Sequence, residues 1–213
     1  ITDHDGVHGA LEFAQLAEDA GIQPITGAEI TLADDTHLTL LAETPEGYSN
    51  LCRVLTHIHH GRHPAPVILP DQNEAPSFDS RLNPPLGDYA SGLILLTGCR
   101  NSQLCHVVDD NNMAAARHIL DQYIAWFGRD NVFVELQQNE VYGDTARIRA
   151  LVELARHAGL DYVATSDVHY HVASRHRLQD VLVAIRTRST LDQCHRERRP
   201  NARFALPTHE EMQ

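Results

Sequence analysis

Two periods of hydrophobic positions alternate along the chain. Apolar residues spaced at about 3.6 positions mark amphipathic helices. Leu11, Phe13, Leu16, Ala17 and Ala20 predict a helix over 9–20, closed by Gly21. Leu51, Val54, Leu55 and Ile58 predict one over 48–60, and Leu178, Val181, Leu182 and Ile185 predict another over 176–186. Helices over 113–127 and 145–157 stop at Gly128 and Gly159. Short apolar runs between them predict strands at the opening Ile1-Thr2 and over 24–32, 37–42, 92–97, 132–136 and 162–165. Strand and helix in alternation imply an α/β fold on a parallel sheet, and seven or eight such units favour a closed barrel over an open sheet.

Two stretches depart from the pattern. Residues 61–90 are rich in Pro, Asp and Asn without a sustained period, which predicts a long surface loop. Residues 187–213 follow the last helix and carry Arg196, Arg198, Arg199 and Arg203. The expected division is therefore a barrel domain over 1–186 and a basic segment over 187–213. That segment is expected to face a neighbouring domain rather than a metal site, with a nucleic-acid contact as the alternative. The chain opens already inside a strand, which creates the expectation of a further strand upstream.

Composition narrows the classes. A formal charge of -12 argues against a module that binds duplex DNA through its overall field, so any nucleic-acid contact must be local. No apolar run approaches the roughly 20 residues of a membrane span. The four cysteines show no paired metal-knuckle spacing and no disulfide-rich density, which fits a reducing compartment, and the protein is read as cytoplasmic with no membrane partner. Fifteen histidines weigh more than the charge, because imidazole is the commonest transition-metal ligand.

The candidate chemistry lies at strand ends. Asp3-His4 follows the first short run, and Asp167-Val168-His169 follows the strand over 162–165. In a barrel of parallel strands that end carries function. Glu29 and Cys99 also stand at strand ends, and His37 stands where a strand begins. Carboxylate, imidazole and thiolate are ligands for zinc, manganese or iron. Asp is also an ordinary helix cap, but capping does not select Glu, Cys or His. A single metal site over these residues is the expectation. Periodicity alone puts His37 at the wrong end if its strand is parallel. The run His57-Ile58-His59-His60 is a competing candidate, but no carboxylate accompanies it and a solvated helix end explains it better.

The stretches Ile1-Thr2-Asp3-His4-Asp5-Gly6, Gly21-Ile22-Gln23-Pro24-Ile25-Thr26-Gly27-Ala28-Glu29, Thr36-His37-Leu38-Thr39-Leu40-Leu41-Ala42, Gly92-Leu93-Ile94-Leu95-Leu96-Thr97-Gly98-Cys99 and Ala164-Thr165-Ser166-Asp167-Val168-His169-Tyr170 occur in this order. Together they resemble the polymerase and histidinol phosphatase (PHP) domain at the N-terminus of bacterial DNA polymerase III alpha subunits. The tail, with Arg177-Leu178-Gln179-Asp180-Val181 and Arg199-Pro200-Asn201-Ala202, resembles the error-prone branch used in damage-induced synthesis. The resemblance implies a distorted (βα)7 TIM-like barrel, here without its first strand and the His-x-His pair on it. It also implies divalent metal ions, up to three in the complete domain and fewer here, held by His4, Glu29, His37, Cys99, Asp167 and His169, with His4, Asp167 and His169 taking part in catalysis. Glu135 stands near this set as a supporting acid. The implied partners are a polymerase region of the same protein, DNA reached through it, and other replication or repair subunits.

Three readings of function follow. The first is a metal-dependent phosphoesterase, of 3′-5′ exonuclease or pyrophosphatase type, within a DNA-directed DNA polymerase. The second is a scaffold of the polymerase without catalysis of its own, since some members of the family have lost ligands. The third is a stand-alone histidinol-phosphatase-like enzyme, which should lack the error-prone-type tail.

Overall fold

The computed structural model describes residues 1–70 and 84–212, so residues 71–83 of the expected loop lie outside the described residues. The strands are β1 (Thr2–His4), β2 (Gly27–Thr31), β3 (His37–Ala42), β4 (Leu93–Leu96), β5 (Val132–Gln137) and β6 (Tyr162–Thr165). The helices are α1 (Ala10–Asp19), α2 (Pro45–His59), α3 (Gln103–Asp109), α4 (Met113–Phe127), α5 (Asp144–Ala158) and α6 (His176–Arg186). The periodic segments all form the expected kind of element. Helix α3 was not expected, because seven residues span only two turns and show no period.

Local chemistry sets the helix boundaries. The Thr44 hydroxyl accepts the Gly47 N–H at 3.1 Å, and Pro45 occupies the first turn, where a missing N–H costs nothing. Ser102 caps α3 by accepting the Cys105 N–H at 3.1 Å. Asn112 caps α4 by accepting the Ala115 N–H at 3.0 Å, and Gly128 ends that helix at φ +82°.

The strands form one six-stranded sheet in sequential order, β1-β2-β3-β4-β5-β6. Strand β1 runs parallel to β2, and β4 runs parallel to β5. Strand β3 is antiparallel to both of its neighbours, which corrects the expectation of an all-parallel sheet. The reason is the short connection over residues 32–36. Asp35 takes a left-handed φ of +63°, and Asp34 Oδ1 accepts both the Thr36 N–H at 3.1 Å and its hydroxyl at 2.6 Å. A crossover to a parallel strand needs a dozen or more residues, so five can only turn the chain back. The described residues therefore show a mixed α/β fold.

The chain divides into two compact units, within β5, α5 and β6. The first comprises residues 1–135 and 150–163 and holds the large core, including Ile30, Leu38, Leu40, Leu51, Leu93, Leu95, Ile119, Leu120 and Tyr123. The second comprises residues 136–149 and 164–213, and its buried residues include Tyr170, Val183, Ala184, Cys194 and Phe204. Its residues after β6 pair with the tail, as His169 N–H donates to Phe204 O at 2.8 Å and Leu206 N–H to Tyr170 O at 3.1 Å. Among the described residues, no helix is long and apolar enough to cross a membrane.

Two amphipathic faces do not bury as expected. In α1, Ala10 and Ala17 are buried while Leu11 and Leu16 are exposed. In α6, Val183 and Ala184 are buried while Leu178, Leu182 and Ile185 are exposed. Both helices thus bury smaller apolar residues while several of their larger ones stay exposed.

The start of α2 docks on the turn before β4, where Glu43 N–H donates to Gly92 O at 3.0 Å. A Cβ on Gly47 would lie 1.7 Å from that same Gly92 carbonyl oxygen, so two backbones meet where only glycine fits. Gly47→Ala should cost about 1–3 kcal/mol of stability. Urea unfolding of the variant checks this, and an unchanged midpoint would refute the close approach.

Candidate metal centre

The first unit gathers its ligands through strand register. His4 pairs with Glu29 across the parallel β1–β2 ladder, and Thr31 pairs with His37 across the antiparallel β2–β3 ladder. Side chains alternate along a strand, so Glu29 and Thr31 share a face and His37 becomes a diagonal neighbour of Glu29. The opposite face carries Ala28, Ile30, Leu38 and Leu40, all fully buried. Because β3 is reversed, its first residue lies at the end of the sheet where β1 and β2 finish. This resolves the position of His37, which periodicity alone misplaced.

The geometry centres on one carboxylate oxygen. Glu29 Oε1 lies 2.8 Å from His37 Nδ1 and 3.8 Å from His4 Nδ1, and it accepts the Cys99 thiol at 3.5 Å. Cys99 Sγ is 3.8 Å from His37 Nδ1, and the rings of His4 and His37 meet edge to face at 5.5 Å. Ligand atoms of His4, Glu29 and His37 all lie within 4.8 Å of one another. Among the described residues this is the one cluster of three His, Cys, Asp or Glu ligand atoms so arranged. Two imidazoles, a carboxylate and a thiol fit zinc, manganese or iron and do not fit calcium or magnesium, which favour oxygen ligands alone.

Neighbouring backbone holds each ligand in place. Asp5, at a left-handed φ of +47°, follows His4 directly. Its Oδ1 accepts the Thr31 N–H and its Oδ2 the Thr31 hydroxyl, both at 2.8 Å, while its own N–H donates to Glu29 O at 2.9 Å. The end of β1 is thereby tied to β2 at Glu29 and at Thr31. Cys99 is turned toward His37 by Gly98, whose φ is +91° and whose added Cβ would lie 2.5 Å from the His37 carbonyl oxygen. Glu135, 5 % exposed, accepts the Gly98 N–H at 3.1 Å and so supports that turn. Asp3 follows the capping alternative, because its Oδ2 accepts the Gly9 N–H at 2.8 Å at the start of α1.

Asp167 and His169 belong to the second unit and meet each other there. Asp167 Oδ1 is 2.8 Å from His169 Nε2, with both side chains largely buried. Arg199 completes this group. Its guanidinium nitrogen lies 3.2 Å from Asp167 Oδ2, contacts His169 Nε2, and stands over the Phe204 ring with Cζ 5.1 Å from the centroid. This corrects the expectation that the basic segment avoids the candidate ligands. Two of its other arginines also meet acids, Arg198 with Asp180 at 3.2 Å and Arg203 with Glu140 at 2.8 Å and Glu211 at 3.4 Å. A guanidinium beside a half-buried acid is favoured over one left in water with the acid unpaired, and this pairing absorbs charge that a nucleic-acid contact would use. Nearby, burial pushes the Tyr170 hydroxyl above its ordinary pKa, and that hydroxyl donates to Asn201 O at 3.3 Å.

The competing histidines do not form a cluster. His57 Nε2 pairs with the Tyr89 hydroxyl at 2.9 Å, and His60 Nδ1 lies 2.8 Å from Thr56 O at the end of α2. Reading the sequence missed Asp5, Thr31, Gly98 and Arg199 as parts of these groups. Asp5 carried a signal, since it directly follows a ligand-type His, but one acid at a strand end reads equally as a cap.

Asp5→Ala should loosen His4 against Glu29. Loss of support around a ligand typically costs about 10–100-fold in metal affinity, and the two lost hydrogen bonds about 1–3 kcal/mol of stability. Asp5→Asn keeps an acceptor and should lose less of both. Manganese titration by calorimetry, read beside thermal melting, separates the two effects, and full affinity in Asp5→Ala would rule out the positioning role.

Comparison with known proteins gives the family. The family model described as PHP domain matches residues 1–139. An error-prone DNA polymerase of Symbiobacterium thermophilum is 39% identical over the whole chain, which spans 20% of that relative. A DNA polymerase III subunit alpha of Thermus aquaticus is 32% identical over the whole chain and 18% of its own length. An error-prone DNA polymerase of Mycolicibacterium paratuberculosis is 32% identical over 90% of the chain. The chain thus spans about a fifth of the curated relatives it matches. DNA polymerase III alpha and error-prone DNA polymerases are thus similar to this chain along its length, and with the family model covering 139 of 213 residues the chain belongs to the PHP domain family.

Proposed function

We propose that this chain is the metal-dependent phosphoesterase part of an error-prone-type DNA polymerase, acting as a 3′-5′ exonuclease or a pyrophosphatase. The observation that carries this reading is the convergence of His4, His37 and Cys99 on Glu29 Oε1. These three with Glu29 hold metal in the first unit, and Asp167 with His169 are the metal ligands of the second. A bound divalent ion supplies a water of lowered pKa and charge stabilisation for the leaving oxygen.

The chain's own residues define the rest. The Glu29 carboxylate is 13% exposed and the His37 side chain 22%, so both are held rather than mobile. The His4 side chain is 50% exposed, which leaves it at the open side where a phosphate ester arrives. His4 in the first unit, and Asp167 and His169 in the second, are the residues proposed to take part in catalysis. Closure into a (βα)7 barrel, a polymerase region in the same protein, DNA contacts through that region and company with other replication subunits are parts of the same proposal. They rest on the resemblance to relatives that carry those names.

The scaffold reading is kept because one observation favours it. Arg199 already neutralises Asp167, and a site with its own cation can be stable without metal.

The deciding experiment measures hydrolysis of p-nitrophenyl phosphate and of single-stranded DNA by the chain, with manganese or zinc added and with chelator. Turnover that chelator abolishes, and that Glu29→Gln lowers by about a hundredfold or more, supports the enzyme. Metal binding without turnover on either substrate would leave the scaffold. Metal content tests the ligand set: Glu29→Gln in the first unit and Asp167→Asn in the second should each lower it.

A further inference from the structure

We propose that Arg199 is a built-in counter-cation for the Asp167–His169 pair, so that the guanidinium and a divalent metal ion are alternative occupants and metal loading displaces the arginine. The inference rests on the reading of Asp167 and His169 as metal ligands, and three features of the second unit carry it.

The first is the spacing of the pair. Asp167 Oδ1 and His169 Nε2 are 2.8 Å apart. Two donors held at about 2.1 Å by one small ion stand roughly 3 Å from each other, so the pair is already set as adjacent ligands.

The second is what Arg199 occupies. The Arg199 guanidinium lies against His169 Nε2, the ring nitrogen that also faces Asp167 Oδ1. An ion held by that nitrogen would stand in the space the guanidinium fills. The same guanidinium covers Asp167 Oδ2 at 3.2 Å. A guanidinium against both Oδ2 and Nε2 leaves no room there for a second cation, and the two occupants exclude each other.

The third is that the arginine is placed rather than loose. Its Cζ sits 5.1 Å over the Phe204 ring, and the Phe204 carbonyl accepts the His169 N–H at 2.8 Å. The backbone pairing that positions His169 therefore also positions the platform under Arg199. On either side the segment is anchored by Arg198 on Asp180 and Arg203 on Glu140. A single charge on a partly buried pair compensates the carboxylate, and a doubly charged ion at the same ligands is the stronger competitor.

The test titrates manganese into the 213-residue chain by calorimetry, comparing the parent with Arg199→Gln and with Arg196→Gln, which changes the net charge equally. Arg199→Gln should raise the affinity of one site about tenfold, and Arg196→Gln should leave it unchanged. A second measurement needs only the parent protein. Phenylglyoxal labelling followed by peptide mass spectrometry should show Arg199 reacting several-fold faster when manganese is present, as the guanidinium leaves its pocket. Unchanged or weaker manganese binding in folded Arg199→Gln would overturn the proposal, and so would labelling of Arg199 that manganese leaves unchanged or slows. If no form of the chain binds manganese, the metal reading falls and takes this inference with it. If the parent binds and only the Arg199 results fail, the metal reading stands.

Discussion

Everything proposed for the first unit depends on the reversal of β3. The turn over residues 32–36, fastened by Asp34 on Thr36, sends the chain back beside β2, and only in that direction does His37 meet Glu29. A parallel β3 would carry the imidazole to the far end of the sheet. One short connection thus decides whether four ligand-type side chains form a cluster or remain scattered.

The cluster is supported by polar contacts, and the sheet beneath it by apolar ones. Leu38 and Leu40 alternate with His37 and Thr39 along β3, so one face is buried in the core while the other presents ligands. Asp5 and Gly98 then set the two chain segments that leave the strands. Asp5 accepts a left-handed conformation in return for two hydrogen bonds to Thr31, a trade that Asp tolerates better than most residues. At Gly98 the neighbouring His37 carbonyl leaves no room for a side chain. Such local constraints place donors more rigidly than a mobile loop could, as a metal ligand requires.

The second unit follows a different logic. Its apolar core is small, with Val183, Ala184 and Cys194 as one cluster, and ion pairs from the tail surround it. Pairs between exposed groups, such as Arg203 with Glu140, add little because solvent screens them. The half-buried pairing of Arg199 with Asp167 differs, since removing either partner leaves a charge in a poorly solvated place. A basic run in a sequence therefore need not mean a basic surface, because acids elsewhere in the fold can claim each charge.

By itself the sequence determined the elements and the ligand types. Period and punctuation located nearly every helix and strand to within a few residues, because long amphipathic runs and stop glycines act locally. It also singled out His4, Glu29, His37 and Cys99, since residues of that kind at strand ends have few other uses. Tertiary structure decided what depends on direction and distance. The reversal of β3 is a property of two paired strands, and the contacts of Arg199 with Asp167 and His169 join positions about thirty residues apart. The exposure of Leu11 and Leu16 on α1 follows from which neighbour the helix meets, not from its own period. Periodicity tells which face of an element is apolar, and only packing tells what that face touches.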